Sequence, residues 1–157
     1  MCGIVGITST DDNVSDTLSG LQALEYRGYD SAGIACSIDN NIHYQKSVGK
    51  ISNLIHQLNN NSFEGKTTIA HTRWATHGRP HRLNAHPFVK DNCALVHNGI
   101  IENYDELINS FSIDRKNLES ETDTEVVAEL YSKLLIKYTP IEALINLFDK
   151  IEGAFAL

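Results

Sequence analysis

The chain has 157 residues, 41% of them hydrophobic, and a formal net charge of -7 from 20 acidic and 13 basic side chains. That is apolar material for one globular domain with a sizeable core, while the acidic balance and the scattered Lys and Arg exclude a nucleic-acid or acidic-membrane surface, which needs clustered positive charge. No apolar run approaches a membrane span, the start punctuated by Gly3 and Gly6 does not read as a signal peptide, and three widely separated cysteines, Cys2, Cys36 and Cys93, suit a reducing cytoplasm better than a disulfide scaffold.

In chain order, residues 3–8 read as a short buried strand, and 14–26 as a helix with Val14, Leu18, Leu21 and Leu24 on one face and Gly28 as its C-terminal stop. A hairpin follows, with strands 33–38 and 42–48 around the turn residues Asp39-Asn40-Asn41. Ile51, Leu54, Ile55 and Leu58 give helix 51–60 a core-facing stripe, and a strand covers 66–72. Residues 73–88 form a polar loop of the length that compact domains reserve for function. Strand 93–97 leads into helix 103–111, and a strong helix from about 123 to 137 turns Val126, Val127, Leu130, Leu134 and Leu135 inward. Thr139-Pro140-Ile141-Glu142 reads as a capping box opening a last helix to about 149, and residues 153–157 read as a strand. Strand pairs alternating with helix pairs point to an α+β or layered α/β/β/α domain.

Cys2 is the first chemical candidate. If Met1 is removed, a thiol and a free α-amine stand side by side; they titrate close to one another near neutral pH, so one residue serves as nucleophile and base. The plain alternative is a small apolar residue in a buried first strand. Five polar clusters follow: Tyr26-Arg27-Gly28-Tyr29-Asp30-Ser31-Ala32-Gly33, Ala70-His71-Thr72-Arg73-Trp74-Ala75-Thr76-His77-Gly78, Asn84-Ala85-His86-Pro87, Val96-His97-Asn98-Gly99-Ile100-Ile101-Glu102-Asn103, and Glu121-Thr122-Asp123-Thr124-Glu125. The Asn98 side-chain amide and the Gly99 backbone N–H suit an oxyanion, though Asn-Gly also suits a turn. Arg73 offers a planar fork for a carboxylate, or a solvated charge. Asp123 is favourable at a helix start. Trp74, the single tryptophan, fits burial against the core or closure over a ligand. Spacing assigns Arg27, Tyr29 and Asp30 no chemical step. His77, His81 and His86 are spaced like metal ligands, but Gly78, Pro80 and Pro87 break any helix there and no acid or cysteine joins them, so no metal site is expected. A papain-type Cys2/His pair suits the chain less well, because Cys2 opens a strand.

Together with Met1-Cys2-Gly3-Ile4-Val5-Gly6, these clusters resemble the class II, amino-terminal-nucleophile glutamine amidotransferases over residues 2–157. The YRGYDSAG, AHTRWATHG, VHNGIIEN and SETDTE wording is most similar to the branch that aminates fructose 6-phosphate. The resemblance implies an α+β, four-layer α/β/β/α Ntn-hydrolase sandwich of stacked antiparallel sheets, here expected to stop before its last strands. It implies hydrolysis of L-glutamine to glutamate and ammonia without metal or organic cofactor. Cys2 is then the nucleophile, Asn98 and Gly99 the oxyanion hole, Arg73 the α-carboxylate anchor and Asp123 the α-ammonium partner. Trp74, Thr76 and His77 belong to a segment that moves over glutamine. Residues 1–157 are expected to be part of a glutaminase domain. In a longer, homo-oligomeric protein, a sugar-isomerase part outside these residues would use the ammonia to convert fructose 6-phosphate to glucosamine 6-phosphate. The alternatives are the glutaminase domain of another class II amidotransferase, or an inert module.

Overall fold

A four-stranded antiparallel sheet in the order β1-β4-β2-β3 organises the first half of the chain. In the computed structural model, which describes residues 2–39, 41–59, 63–75, 78–91 and 93–157, its strands are β1 (Gly3–Thr8), β2 (Ser31–Ile38), β3 (Asn41–Val48) and β4 (Thr67–Arg73). Asp39 takes a positive φ of 47° in the β2–β3 turn, as its residue type allows; Asn40 of the expected turn lies outside the described residues. Helices α1 (Val14–Ala23) and α2 (Ile51–Leu58) cover one face. Their inward residues Val14, Leu21, Ile51, Leu54 and Leu58 meet Ala32, Ile34 and Ala70 of the sheet in a single apolar cluster.

Two short antiparallel pairs lie across the other face: β5 (Phe88–Lys90) with β6 (Cys93–Leu95), and β7 (Asn98–Ile101) with β8 (Gly153–Ala156). Helices α3 (Tyr104–Ser110), α4 (Asp123–Leu135) and α5 (Pro140–Phe148) cover these pairs over a second cluster that includes Phe88, Ile101, Leu107, Val127, Leu130 and Leu147. The expected α+β sandwich, α/β/β/α, is what forms. The capping box at α5 is complete: Thr139 Oγ1 accepts from the Glu142 N–H, and the Glu142 carboxylate accepts from the Thr139 N–H at 3.0 Å.

Several local expectations are corrected. Helix 14–26 ends at Ala23 and is followed by a 3-10 turn, Glu25–Arg27. Gly28 is extended, with φ -177°, so it is no left-handed stop. Glycine is needed there because a Cβ would lie 2.7 Å from the Arg73 carbonyl. Helix 51–60 stops at Leu58; Asn60 lies outside the described residues. The polar loop contains a 3-10 turn, Arg82–Asn84, and at Phe88 runs into strand β5, neither of which the sequence pattern announced. Strand 93–97 ends at Leu95, and Asn98-Gly99 opens β7 instead of a turn.

Candidate active site

Antiparallel pairing gathers the sequence clusters at one end of the four-stranded sheet. Gly3 pairs with Thr72, so Cys2 at the open end of β1 lies beside the chain leaving β4 at Arg73 and Trp74. Ser31 pairs with Arg73, which brings the Tyr26–Asp30 segment to the same end. The Trp74 N–H reaches Cys2 Sγ at 3.3 Å, and Sγ lies 3.8 Å from the Trp74 carbonyl. No other hydrogen-bond partner of this thiol occurs among the described residues, and none of their histidines is bonded to it as a papain-type base would be.

The segment before β2 braces this junction. Arg27 Nε donates to the Cys2 carbonyl at 3.0 Å, and the Tyr29 and Trp74 rings meet edge-on with centroids 5.4 Å apart. Asp30 accepts from the Ala75 N–H and, at 2.8 Å, from Ser31 Oγ. Their spacing alone carried no such assignment. Trp74 is 45% exposed, so its expected burial against the core is not observed.

Asn98 approaches from the opposite sheet, and its orientation follows from chemistry. His71 Nε2 lies 3.0 Å from the His97 carbonyl and 2.8 Å from Asn98 Oδ1. A carbonyl only accepts, so Nε2 carries the hydrogen, and Asn98 must present its oxygen to His71. That leaves the Asn98 Nδ2 hydrogens facing Cys2, whose carbonyl accepts one at 3.2 Å. Burial pushes His71 down to about 4, against the raising influence of its bonds to Asn98 and His97, so the imidazole is neutral at physiological pH. Gly99 follows with φ 127°; a Cβ there would lie 2.1 Å from the Ala154 carbonyl oxygen of β8.

A cleft of about 50 Å³ joins these elements, lined by Cys2, Arg73, Trp74, Gly99 and Asp123 together with His86, His97, Thr122 and Thr124. Arg73 is buried, with Nη2 3.4 Å from the Gly78 carbonyl. Asp123 opens α4, and its carboxylate accepts the Ile101 N–H at 2.8 Å, so it fixes the end of β7 as well as starting the helix. The structure thus brings Cys2, Arg73, Trp74, Asn98, Gly99 and Asp123 together. Thr76 and His77 lie outside the described residues.

The sequence reading missed the network behind the cleft. The His71 and His86 rings stack with centroids 4.1 Å apart. Thr124 Oγ1 lies 3.0 Å from His86 Nε2 and 2.9 Å from His97 Nδ1. Burial holds His86 well below its ordinary pKa, with His71, His97, Arg73 and Lys46 adding to it, and burial also lowers His97 against the pull of Asp123. Each histidine stood inside a cluster already noted, but nothing in one-dimensional spacing says that three of them meet. Cys36 and Cys93 are buried in strands and free, and burial raises both thiols to about 11, in keeping with a packing role.

With this geometry in place, relatives are informative. Residues 71–157 match the family model for the glutamine amidotransferase domain, more than half of the chain. The chain belongs to that family. Over its whole length it is 45% identical to the glutamine--fructose-6-phosphate aminotransferase [isomerizing] of Brucella suis biovar 1 (strain 1330), 46% to that of Zymomonas mobilis subsp. mobilis, and 45% to that of Clostridium perfringens. It spans 26% of the length of each of these relatives. Among solved structures, glutamine phosphoribosylpyrophosphate amidotransferase from B. subtilis, complexed with ADP and GMP, superposes with a TM-score of 0.83 at 27% identity, covering 99% of this chain and 34% of that one. The amidotransferase domain therefore has the Ntn-hydrolase sandwich expected of it. No described helix is long and apolar enough to cross a membrane.

Proposed function

We propose that these residues form part of the glutaminase domain of a glutamine:fructose-6-phosphate aminotransferase, and that the domain hydrolyses L-glutamine through a Cys2 thioester. The observation that carries this reading is the cleft in which the Cys2 thiol meets the Asn98–Gly99 strand, with Arg73 and Asp123 on the same walls. The hydrogen-bond partners of Cys2 Sγ among the described residues are both backbone groups of Trp74, which favours its own α-amine as base once Met1 is removed.

The glutamine α-carboxylate pairs with Arg73 and the α-ammonium with Asp123, which directs the side-chain amide toward Cys2. The α-amine accepts the thiol proton, and sulfur attacks the amide carbon. Asn98 Nδ2 and the Gly99 N–H receive the oxyanion, each such donor being worth about 3–4 kcal/mol of barrier. The protonated amine gives its proton to the leaving nitrogen, the C–N bond breaks, and ammonia departs. Water then cleaves the thioester and releases glutamate. Neutral His71 holds the Asn98 amide the right way round for its part. Trp74, Thr76 and His77 are assigned to substrate contact.

Fructose 6-phosphate as the acceptor of ammonia, in the longer protein, is supported by the names of relatives at 45–46% identity over the whole chain, against 27% for the phosphoribosylpyrophosphate enzyme. A cytoplasmic location is supported by three free cysteines. The test pairs intact mass, to establish Met1 removal, with glutamate release from glutamine. Met1-free protein releases glutamate, and Cys2→Ala loses release while retaining glutamine binding. A cooperatively folded, Met1-free sample that neither releases glutamate nor reacts with an electrophilic glutamine analogue overturns the reading.

A further inference from the structure

A second cleft, of about 290 Å³, opens on the other side of Phe88, between β3, β5 and the first turns of α4. Lys46 projects into it from β3 and is only 9% exposed. A lysine so buried ordinarily has an anionic or hydrogen-bonding partner. Lys46 Nζ makes no direct hydrogen bond or ion pair with the described residues and feels Glu125 and Glu119 only at a distance; it lies 4.5 Å from the centre of the Phe88 ring and 6.0 Å from that of Tyr44. Glu125, the buried acid of the cleft, is already committed. One oxygen accepts from Lys90 Nζ at 2.8 Å and the Glu119 N–H at 3.1 Å, the other from the Ser120 N–H at 2.7 Å. Arg82 stands exposed at the rim, with no hydrogen bond or ion pair from its guanidinium among the described residues. Burial lowers Lys46 to about 8, with Arg82 and Lys90 adding to it and Glu125 and Glu119 pulling the other way.

We propose that this cleft binds a small molecule bearing one oxyanion group, a phosphate or a carboxylate, held between Lys46 Nζ and the Arg82 guanidinium with its body against Phe88 and Tyr44. The volume stands at the lower end of the roughly 300–1,000 Å³ typical of small-molecule sites. Glu119 and Glu125 on the same walls disfavour a ligand with several anionic groups. The site is separate from the Cys2 cleft, and its test does not depend on glutamine hydrolysis.

The test follows the Lys46 ε-methylene by NMR in lysine-labelled protein, while inorganic phosphate or, separately, acetate is added at constant ionic strength. Saturable movement of the Lys46 signal, with its titration shifted upward, is expected. A response to phosphate alone assigns the site to phosphorylated ligands, and to acetate alone, to carboxylates. Arg82→Gln, which alters an exposed side chain and leaves the fold intact, weakens binding about tenfold through loss of a charge-assisted contact. A Lys46 signal unmoved by both anions, one that moves only as it does with chloride, or unchanged binding in Arg82→Gln overturns the proposal.

Discussion

The outer seams of the sandwich and its middle seam are made of different residues. Between helix and sheet lie Leu21, Ile34, Leu54 and Ala70 on one side and Val127, Leu130 and Leu147 on the other, all fully buried and apolar. Between the sheets lie His71, His86, His97, Arg73, Lys46 and Thr124, nearly as buried but polar. The ring atoms His71 Nδ1, His86 Nδ1 and His97 Nε2 have no hydrogen-bond partner among the described residues. Each such group costs about 1–3 kcal/mol. The outer seams therefore supply the stability, and the middle seam draws on it to hold side chains where the cleft needs them.

The largest expected effect separates the two. Leu54→Ala in an outer seam removes a side chain with no exposure. It is expected to cost about 2–5 kcal/mol by urea denaturation, because the cavity only partly collapses. Its rate of glutamine hydrolysis, measured where the variant is still folded, should match the parent. A rate that falls along with stability would show that the seams are not separable.

The middle seam should reveal itself through pH. In the unfolded chain His71 binds a proton at the ordinary histidine value near 6.5; in the fold it does so at about 4. As pH falls through that window the unfolded state gains the proton first, so stability present above pH 6.5 is progressively lost down to pH 4. The loss is on the order of 3 kcal/mol for His71 alone, and His86 and His97 act in the same direction. Most of the interval from about pH 6.5 to pH 5 lies above the ordinary carboxylate range, so a urea midpoint that stays level across it would contradict a seam of neutral, buried imidazoles.

A third, smaller effect concerns orientation. His71→Ala frees Asn98 to rotate, which should lower kcat for glutamine about tenfold, within what one oxyanion donor supplies, while KM changes little. His71→Gln keeps an N–H donor of similar reach and should recover part of the rate. Equal losses in both variants would mean that His71 serves packing only.

These seams were unequally legible in the sequence. The outer ones follow from helical periodicity, as with Ile51, Leu54 and Leu58, and the strands they cover came out within a residue or two. The Cys2, Arg73 and Asn98 clusters were visible as clusters because loop polarity between apolar runs is a local signal. What stayed hidden depends on contacts distant in sequence. Asn98-Gly99 looked like a turn because its strand partner, Phe155-Ala156, lies more than fifty residues away. Gly28 looked like a helix stop because the close approach of Arg73 cannot be seen from neighbouring residues. The exposed His43 and His81 and the buried His71, His86 and His97 are the same letter in the sequence; contacts such as the stacking of His71 of β4 on His86 tell them apart.

The smallest effect tests whether a purely local signal has purely local consequences. Thr139 caps α5 through a hydroxyl that accepts the Glu142 N–H, and Glu142 answers by binding the Thr139 N–H. Both groups are exposed, so Thr139→Ala removes a cap without opening a cavity. It should cost about 1 kcal/mol by urea denaturation. Helix α5 reaches the cleft indirectly, through its packing on α4 and through Phe148 stacked on Phe155 of β8, the strand that pairs with Gly99. If the outer layer merely supports the site, glutamine turnover by the folded variant is unchanged. A fall in kcat larger than the loss of folded protein would mean that fraying of α5 passes through β8 to the Gly99 N–H, and that this outer layer sets the geometry of the cleft as well as the stability of the fold.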